Sequence, residues 1–221
     1  MLSVAELQKR RFSKSILYCR PRGQPSNLFR HAHAGSEPCD KNHKQLQKWT
    51  ITNMIYEKKL EGYTVRLRSV REEDAEITYK MRSDPKKSKY IHEIQGGVEA
   101  QRRYIHEQRK KEGDYLFLVE DIHGTPVGMK GLYNYDPVKK TIESGRFIGF
   151  GNAMENMEAL HLSFCFAFHE LNVEKIYMSV LEDNKIMYGI QQKLGARIYE
   201  KKYNKEFGCA DINSVLSKDV Y

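Results

Sequence analysis

The chain has 221 residues, of which 40% are hydrophobic and 30% are charged, and this balance is typical of a soluble globular protein. It contains no apolar run near the ~20 residues that a helix needs to cross a bilayer, so we expect no membrane association. Its four cysteines form no CxxC pair, which favours a protein of the reducing cytoplasm over a disulfide-stabilised secreted one.

The positive charge of the chain is concentrated at its N-terminus. The formal net charge is +8, and residues 1–53 contribute +7 of it, with ten lysines and arginines against three acidic residues. The remaining residues 54–221 carry about +1. Since a nearly neutral domain lacks the basic surface that nucleic acid requires, we do not expect nucleic acid as its partner. A role on RNA or the ribosome would depend on the basic extension alone.

Residues 1–53 are predicted to be a basic, disordered extension, followed by one domain over residues 54–221. The extension contains Pro21, Pro25 and Pro38 and shows no sustained hydrophobic period. Three alternatives remain open for it. They are a short helix near "VAELQKRRF", an organelle-targeting segment rich in arginine, and a stretch made dispensable by a translation start at Met54.

Four metal-ligand side chains lie in this extension, at His31, His33, Cys39 and His43. The C-x3-H spacing suits a metal ion, but no second cysteine pair completes a zinc ribbon or finger. We therefore predict solvated histidines and no metal.

Regular patterning begins at Tyr63. The segment "YTVRLRSV" alternates like a strand, and Ser69 with Glu72 has the spacing of a capping box that opens the helix "REEDAEITYKMR". Pro85 ends this helix, and a second one runs through "EAQRRYIHEQRKK" to Gly113. The strands "YLFLVED" and "PVGMKGLYNY" then follow as a hairpin around the turn "IHGT", and "TIESGRFIGF" adds a further strand.

The second half of the domain opens with an amphipathic helix, "NMEALHLSFCFAFHEL". Its apolar stripe is predicted to face the core, and it consists of Met157, Leu160, Phe164, Phe168 and Leu171. The strand "KIYMSVLE", the helix "NKIMYGIQQKLG" and the strands "ARIYEKKY" and "CADINSVLS" complete the chain. This order predicts a mixed α/β fold with a twisted sheet of about seven strands and helices on both faces.

This order of elements resembles the GCN5-related N-acetyltransferase (GNAT) family across residues 63–217. The segment "VRLRSVREEDAEITYKMRSDP" is similar to the first strand and helix of the branch that holds ribosomal-protein and nucleotide-amino-sugar N-acetyltransferases. The segment "GDYLFLVEDIHGTPVGMKGLYNYD" is similar to the next two strands. The segment "FAFHELNVEKIYMSVLEDNKIMYGIQQKLGA" is similar to the family's last part, with Ala196 in place of the usual phenylalanine.

The resemblance implies a cytoplasmic enzyme that uses acetyl-CoA as cosubstrate, without a metal. In this family the fourth and fifth strands splay apart, and the pantetheine arm completes the open edge of the fourth strand. The backbone of Phe147, Ile148 and Gly149 is then expected to bind pantetheine and to hold the developing oxyanion. Asn184, after the fifth strand, is expected to bond the pantetheine arm as well as cap the last helix.

The letters "RFIGFG" fit the family's phosphate-loop pattern R-x-x-G-x-G, but the fourth strand needs them. If they formed the loop, that strand would be the weakly apolar "PVKKTIES". The phosphate loop is therefore predicted at "GNAMEN", residues 151–156, with Gly151, Asn152 and Asn156 at the pyrophosphate. In this position Gly151 replaces the family's basic residue or glutamine, and two loop glycines are missing.

Acetyl transfer to an amine requires a group that removes the proton of the ammonium form. Glu143, on the predicted fourth strand, is the candidate base. The family's usual tyrosine acid, which protonates the leaving thiolate, is replaced by Gln191, so Tyr188 is the candidate in its place. Both residues also fit ordinary roles as an exposed carboxylate and a packed aromatic.

The favoured acceptor is the amino group of a nucleotide-linked amino sugar. The piece "ESGRFI" is similar to E-x-G-R-W-I in acetyltransferases of bacterial surface-sugar biosynthesis. Arg82, Tyr133 and Tyr135 are the expected substrate-binding residues. Acetylation of a protein N-terminus or a polyamine, and a non-catalytic acetyl-CoA-binding module, remain alternatives. The oligomeric state is also open, with a homodimer among the options.

Overall fold

A computed structural model describes residues 59–92 and 95–221. The predicted N-terminal extension, with its histidine and cysteine group and its targeting alternative, lies outside these residues, and the division at residue 54 stays a prediction. Within the described part of the chain, no helix is long and apolar enough to cross a membrane.

The described residues form a single eight-stranded sheet with the strand order β1-β2-β3-β4-β5-β6-β8-β7. Its strands are β1 (Leu60–Glu61), β2 (Val65–Ser69), β3 (Tyr115–Asp121), β4 (Pro126–Asp136), β5 (Thr141–Gly149), β6 (Lys175–Leu181), β7 (Arg197–Asn204) and β8 (Cys209–Ser217). The helices are α1 (Ala75–Arg82), α2 (Gly97–Lys110), α3 (Ala153–Cys165) and α4 (Lys185–Lys193). A π-helical turn, Phe166–Glu170, extends α3.

The sheet is mixed because β5 and β6 are parallel, whereas all other neighbours are antiparallel. This confirms the predicted α/β fold. The sheet has eight strands rather than about seven because the two-residue strand β1 adds to the edge of β2. The predicted fourth and fifth strands are accordingly β5 and β6.

Two hydrophobic clusters cover the two faces of the sheet, and alternation along the strands divides the side chains between them. The cluster on the α3 side includes Leu67, Phe117, Leu132, Ile142, Phe164, Phe168, Ile176 and Leu216. The cluster on the α1 and α2 side consists of Val70, Ala75, Met81, Ile105, Leu116, Leu118, Met129 and Ile148. Because side chains alternate along each strand, the core residues determine the face of the sheet on which their neighbours lie.

Two local predictions differ from the structure. The first helix does not begin at a capping box of Ser69 and Glu72, because the carboxylate of Asp74 accepts the bond from the Arg71 amide at 2.8 Å, and a short 3-10 turn precedes α1. Met157, placed in the apolar stripe, is 39% exposed and does not belong to the buried residues of α3.

Glu158 on α3 anchors the start of β2. Its carboxylate accepts hydrogen bonds from the backbone amides of Tyr63, Thr64 and Val65 at 2.7, 2.6 and 3.1 Å, and from the Thr64 hydroxyl. Burial of Glu158 favours the neutral acid, but these hydrogen bonds outweigh it and lower the pKa of the carboxyl. The ionised form therefore holds α3 to the sheet.

We predict that Glu158→Gln lowers the free energy of unfolding at pH 7 by about 1–3 kcal/mol, measured by urea denaturation, because the amide accepts fewer and weaker bonds. Since the folded-state pKa is lowered, the contribution is present above the unfolded pKa, near ~4.3, and disappears as the pH falls through the folded value. Glu174→Gln is the control, because that exposed carboxylate makes only a 3.6 Å ion pair with Lys140. Equal stability of Glu158→Gln and wild type at pH 7 would contradict this assignment.

Candidate active site

A β-bulge bends β5 in the middle of the sheet. Met129 pairs with Ile148 and Gly131 pairs with Gly145, so the single residue between them on β4 faces two residues on β5. The bulged residue Arg146 has a φ of 52°, in the left-handed region. A bulge of this kind bends and twists its strand locally, which directs the second half of β5 out of line with the first.

The parallel pairing between β5 and β6 ends just before the bulge. It runs from Thr141 with Lys175 to Ser144 with Met178 and does not continue over residues 145–149. The edge of β5 that faces β6 is therefore open along Phe147, Ile148 and Gly149, while β4 pairs with the other edge. This confirms the predicted splay and leaves backbone groups available to an extended ligand.

The N-terminus of α3 lies next to the open edge and is capped by its own side chains. The Asn152 side chain accepts bonds from the amides of Met154 and Glu155 at 2.9 and 3.1 Å. In return, the carboxylate of Glu155 accepts a bond from the Asn152 amide at 2.7 Å. This capping box occupies the amides that an anion at a helix N-terminus would use.

The segment predicted as the phosphate loop is shorter than expected, because α3 begins at Ala153. Gly149 packs directly on the first helical turn, and a Cβ at this position would lie 2.1 Å from Oδ1 of Asn156. The Asn156 amide group donates to the carbonyl of Gly151 at 2.8 Å. Gly151, Asn152 and Asn156, which the sequence predicts at the pyrophosphate, lie together at the end of β5 in a closed turn.

On the α1 and α2 side of the sheet, tyrosines surround Glu143. We call this surface the tyrosine face. Glu143 pairs with Tyr133 on β4 and with Tyr177 on β6, and alternation places these side chains on the α1 and α2 side. The carboxylate of Glu143 accepts a bond from Nδ2 of Asn134 at 3.0 Å. Tyr177 stacks edge-on against Tyr199 of β7, with ring centroids 5.8 Å apart.

Arg146 extends this face toward α2. Its guanidinium pairs with both oxygens of Asp114 at 2.5 and 3.1 Å and lies 4.4 Å from the ring centroid of Tyr133 and 5.8 Å from that of Tyr104. Burial favours the neutral form of Arg146, but the bonds to Asp114 outweigh it and raise its pKa. Burial of the Tyr104 and Tyr133 hydroxyls raises their pKa values.

Arg82, at the end of α1, joins the same group. Its guanidinium lies 6.0 Å from the ring centroid of Tyr104, and it donates to the carbonyl of His92 at 3.2 Å. Burial lowers the pKa of Arg82, and repulsion by Arg146 lowers it further. The structure therefore brings Arg82, Tyr133 and Glu143 to one face, together with a second arginine.

The segment after α1 contacts the C-terminal part of the domain. The Tyr90 hydroxyl donates to the carbonyl of Asp183, after β6, at 3.0 Å. His92 lies 2.8 Å from a carboxylate oxygen of Glu206 and stacks on Phe207, both in the turn between β7 and β8. These contacts join the segment after α1 to residues that follow β6 and β7.

Three other predicted residues lie elsewhere. Tyr135 is on the α3 side of the sheet, where its hydroxyl donates to the carbonyl of Leu171 at 3.0 Å, so it does not join Tyr133. Asn184 caps α4, and its side chain accepts from the Met187 amide at 3.2 Å. Tyr188 follows in the first turn of α4, half-buried.

A family model described as "Acetyltransferase (GNAT) domain" matches residues 64–197, which is more than half of the chain. The chain belongs to the GNAT acetyltransferase family. Its open β5 edge beside the α3 N-terminus is the arrangement expected from the family resemblance, and the enzyme class is acetyl-CoA-dependent N-acetyl transfer.

Solved structures of similar fold include several acetyltransferases. Apo FdhC, described as a nucleotide-linked sugar GNAT, is 23% identical over 74% of this chain and 92% of its own, with a TM-score of 0.66. A GCN5-related N-acetyltransferase from Brucella melitensis is 16% identical over 75% and 80%, with a TM-score of 0.64. Spermidine N-acetyltransferase from Vibrio cholerae, in complex with CoA and spermine, is 14% identical over 71% and 97%, with a TM-score of 0.64. No curated protein sequence matches the chain.

Sequence reasoning did not single out five residues of the tyrosine face. For Arg146 a signal was present, since a charged residue inside an apolar strand needs a partner. The others come from separate elements that only the fold brings together, and no spacing in the sequence links them. The five are Tyr104, Asp114, Arg146, Tyr177 and Tyr199.

Proposed function

We propose that this GNAT enzyme transfers acetyl from acetyl-CoA to the amino group of a nucleotide-linked amino sugar. The observation that carries the proposal is the pair of arginines, Arg82 and Arg146, on the tyrosine face next to Glu143. An acceptor that carries both an amine and a phosphate suits such a face, because its anion relieves the repulsion between the guanidiniums. The tyrosine rings provide apolar surfaces for a sugar or a base.

The same charges disfavour a polyamine acceptor. A polyamine carries several positive charges. Asp114 already pairs with Arg146, so the polyamine would meet Glu143 and the guanidinium of Arg82, whose repulsion offsets the attraction of Glu143. Solved structures of similar fold include both a nucleotide-linked sugar GNAT and a spermidine N-acetyltransferase. At their low identities these proteins do not decide the acceptor, so the proposal rests on the two arginines.

The proposed coenzyme site is the open edge of β5. Backbone groups of Phe147, Ile148 and Gly149 would extend the ladder with the pantetheine amides, and Asn184 would bond the arm from the other side of the opening. The pyrophosphate would meet the N-terminus of α3, at Gly151, Asn152 and Asn156. Glu155 must release the Asn152 amide for this to happen, because a carboxylate and a pyrophosphate repel each other.

A nearby lysine supplies positive charge that the loop itself lacks. Nζ of Lys87 lies 5.6 Å from the ring centroid of Phe150, the residue directly before Gly151. Lys86 and Lys89 lie in the same segment after α1. A flexible ammonium at this point can follow a phosphate group as a mobile point charge.

The reaction requires a group that accepts the proton of the ammonium, a site that binds the oxyanion and a means for the thiolate to leave. Acetyl-CoA supplies the activated acetyl thioester. Glu143 takes the proton of the acceptor ammonium, so that the neutral amine attacks the acetyl carbonyl carbon. Amides along the open edge of β5 hold the oxyanion. Tyr188 is the proposed proton donor to the thiolate, which is itself a good leaving group, since free thiols have pKa values near ~8.5.

We predict that a thiol-release assay with acetyl-CoA detects turnover of UDP- or dTDP-linked amino sugars and not of spermidine or peptide N-termini. Arg82→Gln is expected to raise KM for the sugar nucleotide about 10- to 100-fold, the value of a lost charge-assisted hydrogen bond, and to leave KM for acetyl-CoA unchanged. Arg103→Gln on α2 is the control with the same charge change at an exposed position.

Two results would contradict the acceptor assignment. One is turnover of spermidine or a peptide in preference to every sugar nucleotide. The other is binding of acetyl-CoA with no turnover of any amine, which would favour a non-catalytic module.

We predict that Glu143→Gln lowers kcat/KM about 10²- to 10⁴-fold at neutral pH, because the amide accepts no proton. The loss should shrink as the pH rises, since more of the acceptor amine is then neutral in solution. Glu200→Gln is a matched control, because its exposed carboxylate also accepts from an asparagine, Asn213 Nδ2, at 3.0 Å. Undiminished turnover of Glu143→Gln at neutral pH would remove Glu143 from the mechanism.

We predict that Glu155→Gln tightens coenzyme A binding about three- to tenfold in isothermal titration calorimetry, because the pyrophosphate no longer competes with a carboxylate at the α3 N-terminus. The free energy of unfolding without coenzyme should fall slightly, as the charged cap is lost. Glu76→Gln, exposed on α1, controls for the change in net charge. Weaker binding by Glu155→Gln would show that the capping box supports the site instead of blocking it.

A further inference from the structure

Lys130 on β4 is a buried lysine next to the point where β5 and β6 separate. Only 1% of the residue is exposed. Its Nζ donates to the carbonyl of Gly131 at 2.8 Å, to Oγ of Ser144 at 2.8 Å and to the carbonyl of Gly145 at 3.0 Å. The ring of Phe164 on α3 covers it, with Nζ 6.0 Å from the ring centroid.

This position is costly for a lysine. Burial, together with the charge of Arg146, lowers the pKa of Lys130 to about 7. Within residues 59–92 and 95–221, none of its bonds goes to a carboxylate. An apolar side chain of similar length would fill the same space against Phe164 without desolvating an amine, so packing alone does not explain a lysine here.

Lys130 forms its hydrogen bonds next to the bulge, where the regular pairing between β4 and β5 is interrupted. Lys130 is the single residue of β4 that faces the two bulged residues of β5. Its Nζ lies within hydrogen-bond distance of three acceptors, of which Gly131 lies on β4 while Ser144 and Gly145 lie on β5. Ser144 is also the last residue of β5 that pairs with β6. The amine therefore ties β4 to β5 directly at the vertex of the opening.

We propose that Lys130 is a positioning residue for acetyl transfer, whose amine holds the bulge and thereby fixes the opening between β5 and β6 that receives the pantetheine arm. Lys130 acts through the side-chain hydroxyl of Ser144 and the backbone carbonyl of Gly145 and does not touch the acceptor. The proposal is independent of which amine is acetylated, because the same opening serves every acceptor.

The test compares Lys130→Met, which keeps the length and removes every donor, with Lys130→Gln, which keeps two donors without a charge. In the full-length protein, Lys130→Met is expected to weaken coenzyme A binding about tenfold or more in isothermal titration calorimetry, the effect of losing at least one hydrogen bond that shapes the site. Lys130→Gln is expected to retain most of the affinity. With a working acceptor, Lys130→Met should raise KM for acetyl-CoA and leave KM for the acceptor unchanged.

A matched core variant separates positioning from loss of stability. Leu67→Ala truncates a fully buried side chain on β2, which β3 separates from β4, and should unfold more easily while binding coenzyme A like wild type. If Lys130→Met does not fold, Ser144→Ala removes one acceptor and should weaken binding about two- to threefold. Wild-type affinity in Lys130→Met or in Ser144→Ala, equal losses in the Met and Gln variants, or an equal loss in Leu67→Ala would overturn the proposal.

Discussion

The bulge at Arg146 and Phe147 places two residues of β5 opposite Lys130 of β4, and this local mismatch bends β5 out of line with β6. The parallel ladder consequently stops at Ser144, and a short length of strand edge stays open inside an otherwise continuous sheet. Open strand edges pair with further strands. At the rim of a sheet such pairing leads to aggregation, whereas an open edge inside the sheet can bind an extended ligand. The position of the coenzyme, and with it the position of the reacting carbonyl, depends on this bend.

The bulge also positions a charged side chain on each face of the sheet. On the α3 side it brings the buried amine of Lys130 against the ring of Phe164. On the other side it turns Arg146 over Tyr133 and into its pair with Asp114. One irregularity thus sets both the vertex of the cleft and the charge of the face on which we place the acceptor. A substitution that regularised β5 would be expected to affect both together.

Much of the fold could be predicted from the sequence, because strand alternation and helical periodicity are local signals. The strands at Tyr115–Asp121 and Cys209–Ser217 coincide with their predicted ranges. The splay was expected only from the family resemblance, since no local pattern encodes which strands separate. The candidate site was predictable in part: Arg82, Tyr133 and Glu143 share a face, whereas a positive φ at Asn134 precedes Tyr135, whose side chain lies on the α3 side. The capping box at Asn152 and Glu155 has the local signal N-x-x-E, so it was predictable from the sequence.

Binding of the pantetheine arm at the open edge of β5 is measurable by hydrogen exchange of the full chain with and without coenzyme A. Backbone amides that join a ladder exchange more slowly, so we expect protection of residues 145–149 on addition of coenzyme A. Protection should also rise at the N-terminus of α3, while β2 and β3 stay unchanged. Binding of coenzyme A with no change in exchange over residues 145–149 would show that this edge is not the coenzyme site.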